Sequence, residues 1–166
     1  MKKKVEYRPI GIIHTPFKEP KGTPIQPRAG KGIEGVVEVF AEYVPALSDL
    51  EKFSHIILIY HLHRTKSYQL KVVPFMDDKL RGLFATRAPA RPNPIGISVV
   101  RLKRIETNRL YIQDLDIVDQ TPLLDIKPYV PEFDRGEKIK FGWLESRIHR
   151  LEESRDDGRF VTPDEK

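Results

Sequence analysis

Apolar and polar residues alternate with a period of two over several short stretches, the mark of strands with one face buried. Residues 5–14 are β-prone and end at Thr15-Pro16, and residues 35–40 alternate again. Residues 55–63 form a continuous apolar run, the best candidate for a strand buried on both faces. Residues 70–74 and 82–86 read as weaker strands. From Ile95 the pattern runs through Ile97 and Val99, then changes phase to Val100 and Leu102, which predicts a bulge or bend there. A second change of phase separates Leu110 and Ile112 from Leu115 and Ile117. Two phase-shifted strands suit a closed or strongly coiled sheet better than a flat one. Helical spacing is confined to residues 44–52, with Leu47 and Leu50 on one face, and to Ile139, Leu144, Ile148 and Leu151. The pattern therefore predicts a mainly β protein, a small antiparallel barrel of about seven strands with short helices. A barrel domain over residues 1–134 would be followed by a C-terminal helical extension and tail over 135–166, frayed from residue 155.

Composition narrows the class. Hydrophobic residues make up 39% and charged residues 32%, as in globular chains with an ionised surface. The longest apolar run, residues 56–60, is far short of the roughly 20 residues that a membrane helix needs. Lys2, Lys3 and Lys4 are followed by Glu6, Tyr7 and Arg8 where a signal peptide would be apolar, so a cytoplasmic location is expected. The absence of cysteine excludes disulfides, thiol nucleophiles and thiolate metal sites. A net charge of +5 favours a polyanionic partner without requiring one.

Two segments concentrate candidate chemistry. In residues 85–98, Pro89, Pro92 and Pro94 fix φ and withhold backbone donors, so the loop is stiff and presents Arg87 and Arg91 to a carboxylate or phosphate. Without such a ligand it is a proline-rich turn with two surface arginines. In the second segment Asp125, Lys127 and Tyr129 share one face of a strand, an acid, an amine and a phenol that could each move or stabilise a proton. The plainer alternative is an exposed strand face with an ion pair. His55, His61 and His63 lack an evident partner ligand, so no metal is expected. Neither GxGxxG nor a Walker sequence occurs, and a nucleotide-like cofactor would have to bind in another way. The Lys- and Pro-rich residues 18–32 form a loop long enough to be functional.

Four stretches together, Gly11-Ile12-Ile13-His14-Thr15-Pro16-Phe17, Phe53-Ser54-His55, residues 82–98 and residues 116–129, resemble the TsaA-like (TrmO) family. The resemblance covers about residues 5–134 and is most specific at Arg91-Pro92-Asn93-Pro94-Ile95-Gly96 and Thr121-Pro122-Leu123-Leu124-Asp125-Ile126-Lys127-Pro128-Tyr129. It implies a small β-barrel, a homodimer, and an S-adenosyl-L-methionine-dependent methyltransferase acting on N6 of threonylcarbamoyladenosine 37 of tRNA. Carried over by position, the cofactor would touch Gln26, Pro27, Arg28, His63, Arg64, Arg87 and Ile97. Asp116, Ile117, Val118 and Asp119 would complete its pocket, and Asp125, Lys127 and Tyr129 would face the base, with Asp125 removing the N6 proton. Basic residues in 18–31 and 147–155 would guide the anticodon arm. Three positions depart from the family pattern: Gln120 for glycine, Arg64 for glutamine and Ala88 for serine. The chain also ends soon after the barrel, without the C-terminal domain of longer relatives. The rival readings are a non-enzymatic barrel that binds the cofactor or RNA, and a methyltransferase acting on another nucleoside or small molecule.

Overall fold

The computed structural model describes residues 3–65 and 67–161. Six strands with an inward apolar face close on one another: β1 (Gly11–His14), β2 (Glu34–Val39), β3 (His55–His61), β6 (Ile95–Glu106), β7 (Arg109–Gln113) and β8 (Thr121–Pro128). Their order around the barrel is β1-β2-β7-β6-β3-β8, with every neighbouring pair antiparallel and β8 returning to β1. Closure leaves no free edge. Each strand sends in fully buried residues, among them Ile13, Val37, Leu58, Val100, Ile112 and Leu123. Burial of each such side chain contributes about 1.5–3 kcal/mol. The weaker strands shrink to a two-residue pair beside the barrel, β4 (Lys71–Val72) and β5 (Arg81–Gly82).

The expected bulge near Val99 is absent. β6 keeps one phase, with Gly96, Ser98, Val100 and Leu102 inward and Ile95 and Ile97 outward, 43% and 55% exposed. The apparent shift comes from apolar residues on the outer face, and the true irregularity lies between Leu102 and Arg104, opposite β7. The second change of phase is the end of β7. Asp114 takes φ 71, and Leu115 and Ile117 are then buried from a non-strand segment. On β3, Ile56, Leu58 and Tyr60 are buried, but Ile57 and Ile59 on the outer side are only half-covered.

Neither expected helix forms. Residues 44–52 lie in two 3-10 turns, Ala41–Leu47 and Leu50–Lys52, because Pro45 lacks a donor and Asp49 turns left-handed at φ 67. Leu47 and Leu50 still pack on the core. After a four-residue helix α1 (Pro131–Asp134), the C-terminal segment makes 3-10 turns at Gly142–Leu144 and Ile148–Arg150, the first opened by Gly142 at φ 57. Residues 155–161 are not frayed. The Asp156 amide donates to the Thr23 carbonyl (2.8 Å), the Gly22 amide donates back to Asp156 (2.7 Å), and the Phe160 ring meets Phe75 edge-on at 5.0 Å. The remainder of the expected tail, 162–166, lies outside the described residues.

Asp77 holds the C-terminal segment to the barrel. Its side chain has no solvent exposure and binds Arg81 at 2.7 Å and Arg147 at 3.2 Å, while it also accepts from the Asp78 amide (2.9 Å). Burial by itself would raise this carboxyl, but the Arg81 and Asp78 hydrogen bonds outweigh it and hold the group at about 2. The folded value is below the unfolded one of about 3.9, so the carboxylate stabilises the fold above that pH. The contribution is lost as pH falls through about 2. Asp77→Ala is therefore expected to loosen residues 140–155 at neutral pH, and acid between about pH 4 and 2 to loosen them in the wild type. Amide exchange of that segment and Trp143 fluorescence would register both; unchanged protection in Asp77→Ala would refute the anchor.

Candidate active site: a cleft on the outer wall of the barrel

The loop leading into β6 is fixed by its own side chains. The Thr86 hydroxyl donates to the Leu83 carbonyl (2.8 Å), and the Leu62 amide donates to the Pro94 carbonyl (2.7 Å), tying the loop to the end of β3. Arg91 does not reach outward as expected. Its guanidinium donates to the carbonyls of Thr86 (3.0 Å) and Ala88 (3.3 Å) and lies over Phe84, so it staples the loop that carries it. Arg87 instead crosses to the long 18–32 loop and donates to the Gln26 side-chain carbonyl at 2.6 Å. That second loop is also tied down, by a 3-10 turn at Pro27–Gly30 and by the Thr23 hydroxyl donating to Glu19 (2.9 Å).

Between the two loops, on the outside of the barrel, lies a cleft of about 780 Å3. Gln26, Pro27, Arg28, Arg87 and Ile97 line it, and the C-terminal segment supplies an apolar far wall that includes Trp143. The Trp143 indole N–H donates to the Ala85 carbonyl at 2.8 Å. A second chamber of about 300 Å3 shares Gln26, Arg87 and Ile97 and extends to Tyr60 and Asp116. A recess of about 60 Å3 lies beyond, against His63, Arg64, Asp116, Ile117 and Val118. Ten of the eleven residues expected to touch a cofactor thus line one of three spaces that share walls through Asp116, Gln26 and Arg87.

Asp119 is the exception. It accepts from the Thr15 amide (2.9 Å) and from Lys18 (2.6 Å), and although burial acts to raise its carboxyl, these bonds hold it at about 2. It clamps the base of the long loop to the barrel. The neighbouring Gln120 has φ 61, the left-handed region that explains why glycine suits this position; its amide bonds His14 (3.0 Å) instead. His63 is kept neutral by burial first, then by the charge of Arg64. Among the described residues no group of three His, Cys, Asp or Glu side chains converges as a metal site.

Sequence reasoning named Asp116 as a cofactor contact but missed the hydrogen-bonded chain behind it. Inside the barrel the Ser98 hydroxyl donates to Asp116 Oδ1 at 2.6 Å, and the Tyr60 hydroxyl meets Ser98 Oγ at 2.8 Å. Because the Ser98 proton is committed to Asp116, Tyr60 is the donor of the second bond. Burial pushes the Asp116 carboxyl up to about 7, against the Ser98 hydrogen bond and the charge of Arg87. The available signal was Ser98 itself, a hydroxyl at an inward position of an otherwise apolar strand.

Asp125 and Lys127 pair at 2.9 Å on the outer barrel face and line none of the three spaces. Register nevertheless places them beside the cleft. Asp125 pairs with Ile59, which pairs with Ile97, and Lys127 pairs with Ile57, which pairs with Val99. Paired residues of antiparallel strands share a face, so Asp125 stands two strand spacings, about 10 Å, from the cleft residue Ile97. Tyr129 follows β8, where its amide donates to His55 (3.1 Å) and its ring meets the His55 ring at 6.5 Å. The acid, amine and phenol are therefore grouped on the cleft's side of the barrel but outside its cavity.

Fold and site together define a barrel with a ligand-sized cleft on its outer wall, between a proline-braced arginine loop and a long anchored loop, and without a glycine-rich phosphate cradle. The chain belongs to the tRNA-methyltransferase O N-terminal domain family, whose model matches residues 12–135. It is 66% identical over 156 residues to a probable S-adenosyl-L-methionine-binding protein of Pyrococcus abyssi, covering 94% of this chain and 85% of that protein. It is 38% identical over 136 residues to the tRNA (adenine(37)-N6)-methyltransferase of Escherichia coli, covering 76% of this chain but only 58% of that enzyme. The crystal structure of TrmO from Pseudomonas aeruginosa superposes with a TM-score of 0.71 at 37% identity, over 85% of this chain and 63% of the other. The mainly β barrel expected from the sequence is the fold of that family.

Proposed function

We propose that this chain is an S-adenosyl-L-methionine-dependent methyltransferase that modifies N6 of threonylcarbamoyladenosine 37 in tRNA. The observation that carries the reading is the cleft, since its residues suit that cofactor. Its volume of about 780 Å3 falls in the range of small-molecule sites, roughly 300–1,000 Å3. Apolar walls from Ile97 and Trp143 suit an adenine, and Arg87 offers a guanidinium to a carboxylate. When bound, the cofactor supplies a methyl group already activated on a sulfonium. The protein's own work is then to hold the acceptor nitrogen in line and to keep water out. Two anchored loops and the C-terminal wall suit that task, and we assign residues 135–166 to an extension that completes the domain of residues 1–134.

Asp125, Lys127 and Tyr129 present the polar groups nearest the cleft on the outer face and are assigned to the modified base. Asp125→Asn is expected to lower turnover by loosening the hold on the acceptor base, while leaving cofactor affinity within about twofold. Turnover at the wild-type rate would remove Asp125 from the reaction. The half-covered Ile57 and Ile59 and the exposed Ile95 and Ile97 form an apolar strip on the same face, which supports a homodimer seated there. A cytoplasmic location follows from the tRNA substrate.

The anticodon arm is assigned to the exposed Lys21 and Lys31 of the long loop, since Arg28 lines the cleft and pairs with Glu152 (3.4 Å). The C-terminal arginines are occupied: Arg147 by Asp77, Arg150 by the Met76 carbonyl (3.3 Å) and Arg155 by the Glu152 carbonyl (2.9 Å). Binding to tRNA should weaken steeply as salt rises, with a shallower slope in Lys21→Ala and Lys31→Ala. A salt-independent affinity would contradict phosphate guidance. The whole reading is tested by incubating the protein with labelled cofactor and tRNA from cells lacking the activity, followed by mass analysis of the nucleosides. Methyl on N6 of threonylcarbamoyladenosine supports it; cofactor binding without transfer would make the chain a binding module.

A further inference from the structure

We propose that Asp116 is the group that takes the proton from the acceptor nitrogen, positioned by Ser98 and, behind it, by Tyr60. The inference rests on the methyl-transfer reading and deepens it. A carboxyl inside a barrel wall is costly unless it is bound, and this one is bound through a directed chain. Tyr60 donates to Ser98, and Ser98 donates to Asp116 Oδ1. The chain runs from the barrel interior to the chamber wall, where Asp116 is accessible beside Arg87. A structural role alone does not require the carboxyl to open onto the chamber. A cofactor-binding role alone does not require two buried hydroxyls aligned behind it.

The acid at Asp125 is less suited to the task. It is already paired with Lys127 and faces outward, beyond every cavity wall. Asp116 lines the second chamber, which opens to the cleft along Gln26, Arg87 and Ile97, so an acceptor nitrogen that reaches a methyl donor through that chamber passes its carboxyl. In the step, the nitrogen lone pair forms the N–CH3 bond and the CH3–S bond breaks, its electrons leaving on sulfur as a neutral thioether. The N–H electrons stay on nitrogen and the proton passes to the Asp116 carboxylate, which returns it to solvent after product release. Charge balances, since one sulfonium and one carboxylate become a thioether and a carboxylic acid.

The surroundings set the protonation of the group. Tyr60 from β3 and Ser98 from β6 flank it, Arg87 faces it, and Arg91, His63, Arg64 and Asp156 line the spaces it borders. Burial raises Tyr60 well above the ordinary phenol range, so it remains a donor, and burial also raises Asp156. His63 is held neutral by burial and Arg64. With the Asp116 carboxyl at about 7, a large fraction is ionised at neutral pH and ready to accept a proton.

The test combines rate profiles with direct titration of the carboxyl. In wild type, kcat/KM should rise with pH through about 7 and then level, and carbon-13 spectra of labelled aspartate should contain one carboxyl titrating near the same pH. Asp116→Asn should lose that resonance and lower kcat by about 100- to 10,000-fold, with the cofactor Kd within about threefold of wild type. Ser98→Ala removes a bond that both favours the carboxylate and positions it, so the rising limb and the resonance should both move about one to two units to higher pH, and the plateau rate should fall as well. The inference is overturned if Asp116→Asn retains kcat, if its loss lies in cofactor Kd alone, or if Ser98→Ala leaves limb and resonance in place. A wild-type protein that methylates no threonylcarbamoyladenosine would overturn the underlying reading as well, so the two failures are distinguishable.

Discussion

Replacing Arg87 with alanine is expected to weaken S-adenosylmethionine binding by about ten- to a hundredfold, because a hydrogen bond to a charged group contributes roughly 1.5–3 kcal/mol. Arg87 is the side chain that joins the structure's two functional loops, through its 2.6 Å bond to Gln26. It lines both large spaces and lies near enough to Asp116 to lower that carboxyl. Two effects should therefore appear together. Cofactor affinity falls, and the Asp116 titration moves to higher pH as a nearby positive charge is removed. Gln26→Ala should cost less, since it leaves the guanidinium in place and only frees it to move. Calorimetric titration of both variants with the cofactor would rank them. Equal affinity in Arg87→Ala and wild type would place the cofactor elsewhere on the barrel.

The second large effect is expected at Gly96, within the Arg91-Pro92-Asn93-Pro94-Ile95-Gly96 motif. A Cβ there would stand 2.2 Å from the Tyr60 ring, with two further ring atoms at 2.5 and 2.7 Å. Tyr60 is buried and cannot swing into solvent, so Gly96→Ala must push the ring or spread β3 from β6. Overpacking of this kind costs about 1–3 kcal/mol. In a chain of this size each kcal/mol corresponds to a fall of about 2–4 °C in Tm. Displacement of the Tyr60 hydroxyl would also break the bond to Ser98, so the Asp116 carboxyl should lose its position more than the fold loses stability. The combination to look for is a modest fall in Tm with a much larger fall in turnover. A variant with unchanged Tm and unchanged turnover would mean that the ring moves aside at no cost and that its position is immaterial.

Gly96 and Ser98 also illustrate what the sequence discloses. The barrel was legible because alternation survives in β2 and at the start of β6, because β3 is a short apolar run, and because the phase changes suit a closed sheet. The stiffness of the loop over residues 86–94 was legible from its prolines, and the outward reach of Arg87 from its place on it. Arg91, drawn from the same loop with the same chemistry, turned inward to its own carbonyls, which no linear pattern announces. Ile95 and Ile97 were read as a shifted core when they are outer residues bordering the cleft. Periodicity cannot tell an outward apolar residue from a bulge until the partner strand is known. Trp143 lies in a segment whose helical spacing is not realised, and Phe160 in a tail expected to be frayed. They bind to residues more than fifty positions away, Trp143 to Ala85 and Phe160 to Phe75. The Tyr60–Ser98–Asp116 chain spans two paired strands, β3 and β6, and the segment after β7, residues that only the folded barrel brings together.

The expected place of the cofactor is between the proline-braced loop and the long anchored loop on the barrel's outer wall. A crystal structure of the protein with S-adenosylhomocysteine tests it most directly. The prediction is ligand density between Gln26, Arg87 and Ile97, with the sulfur end directed toward Asp116. Density at any other place on the barrel, such as the opposite face around His14 and Gln120, would contradict it.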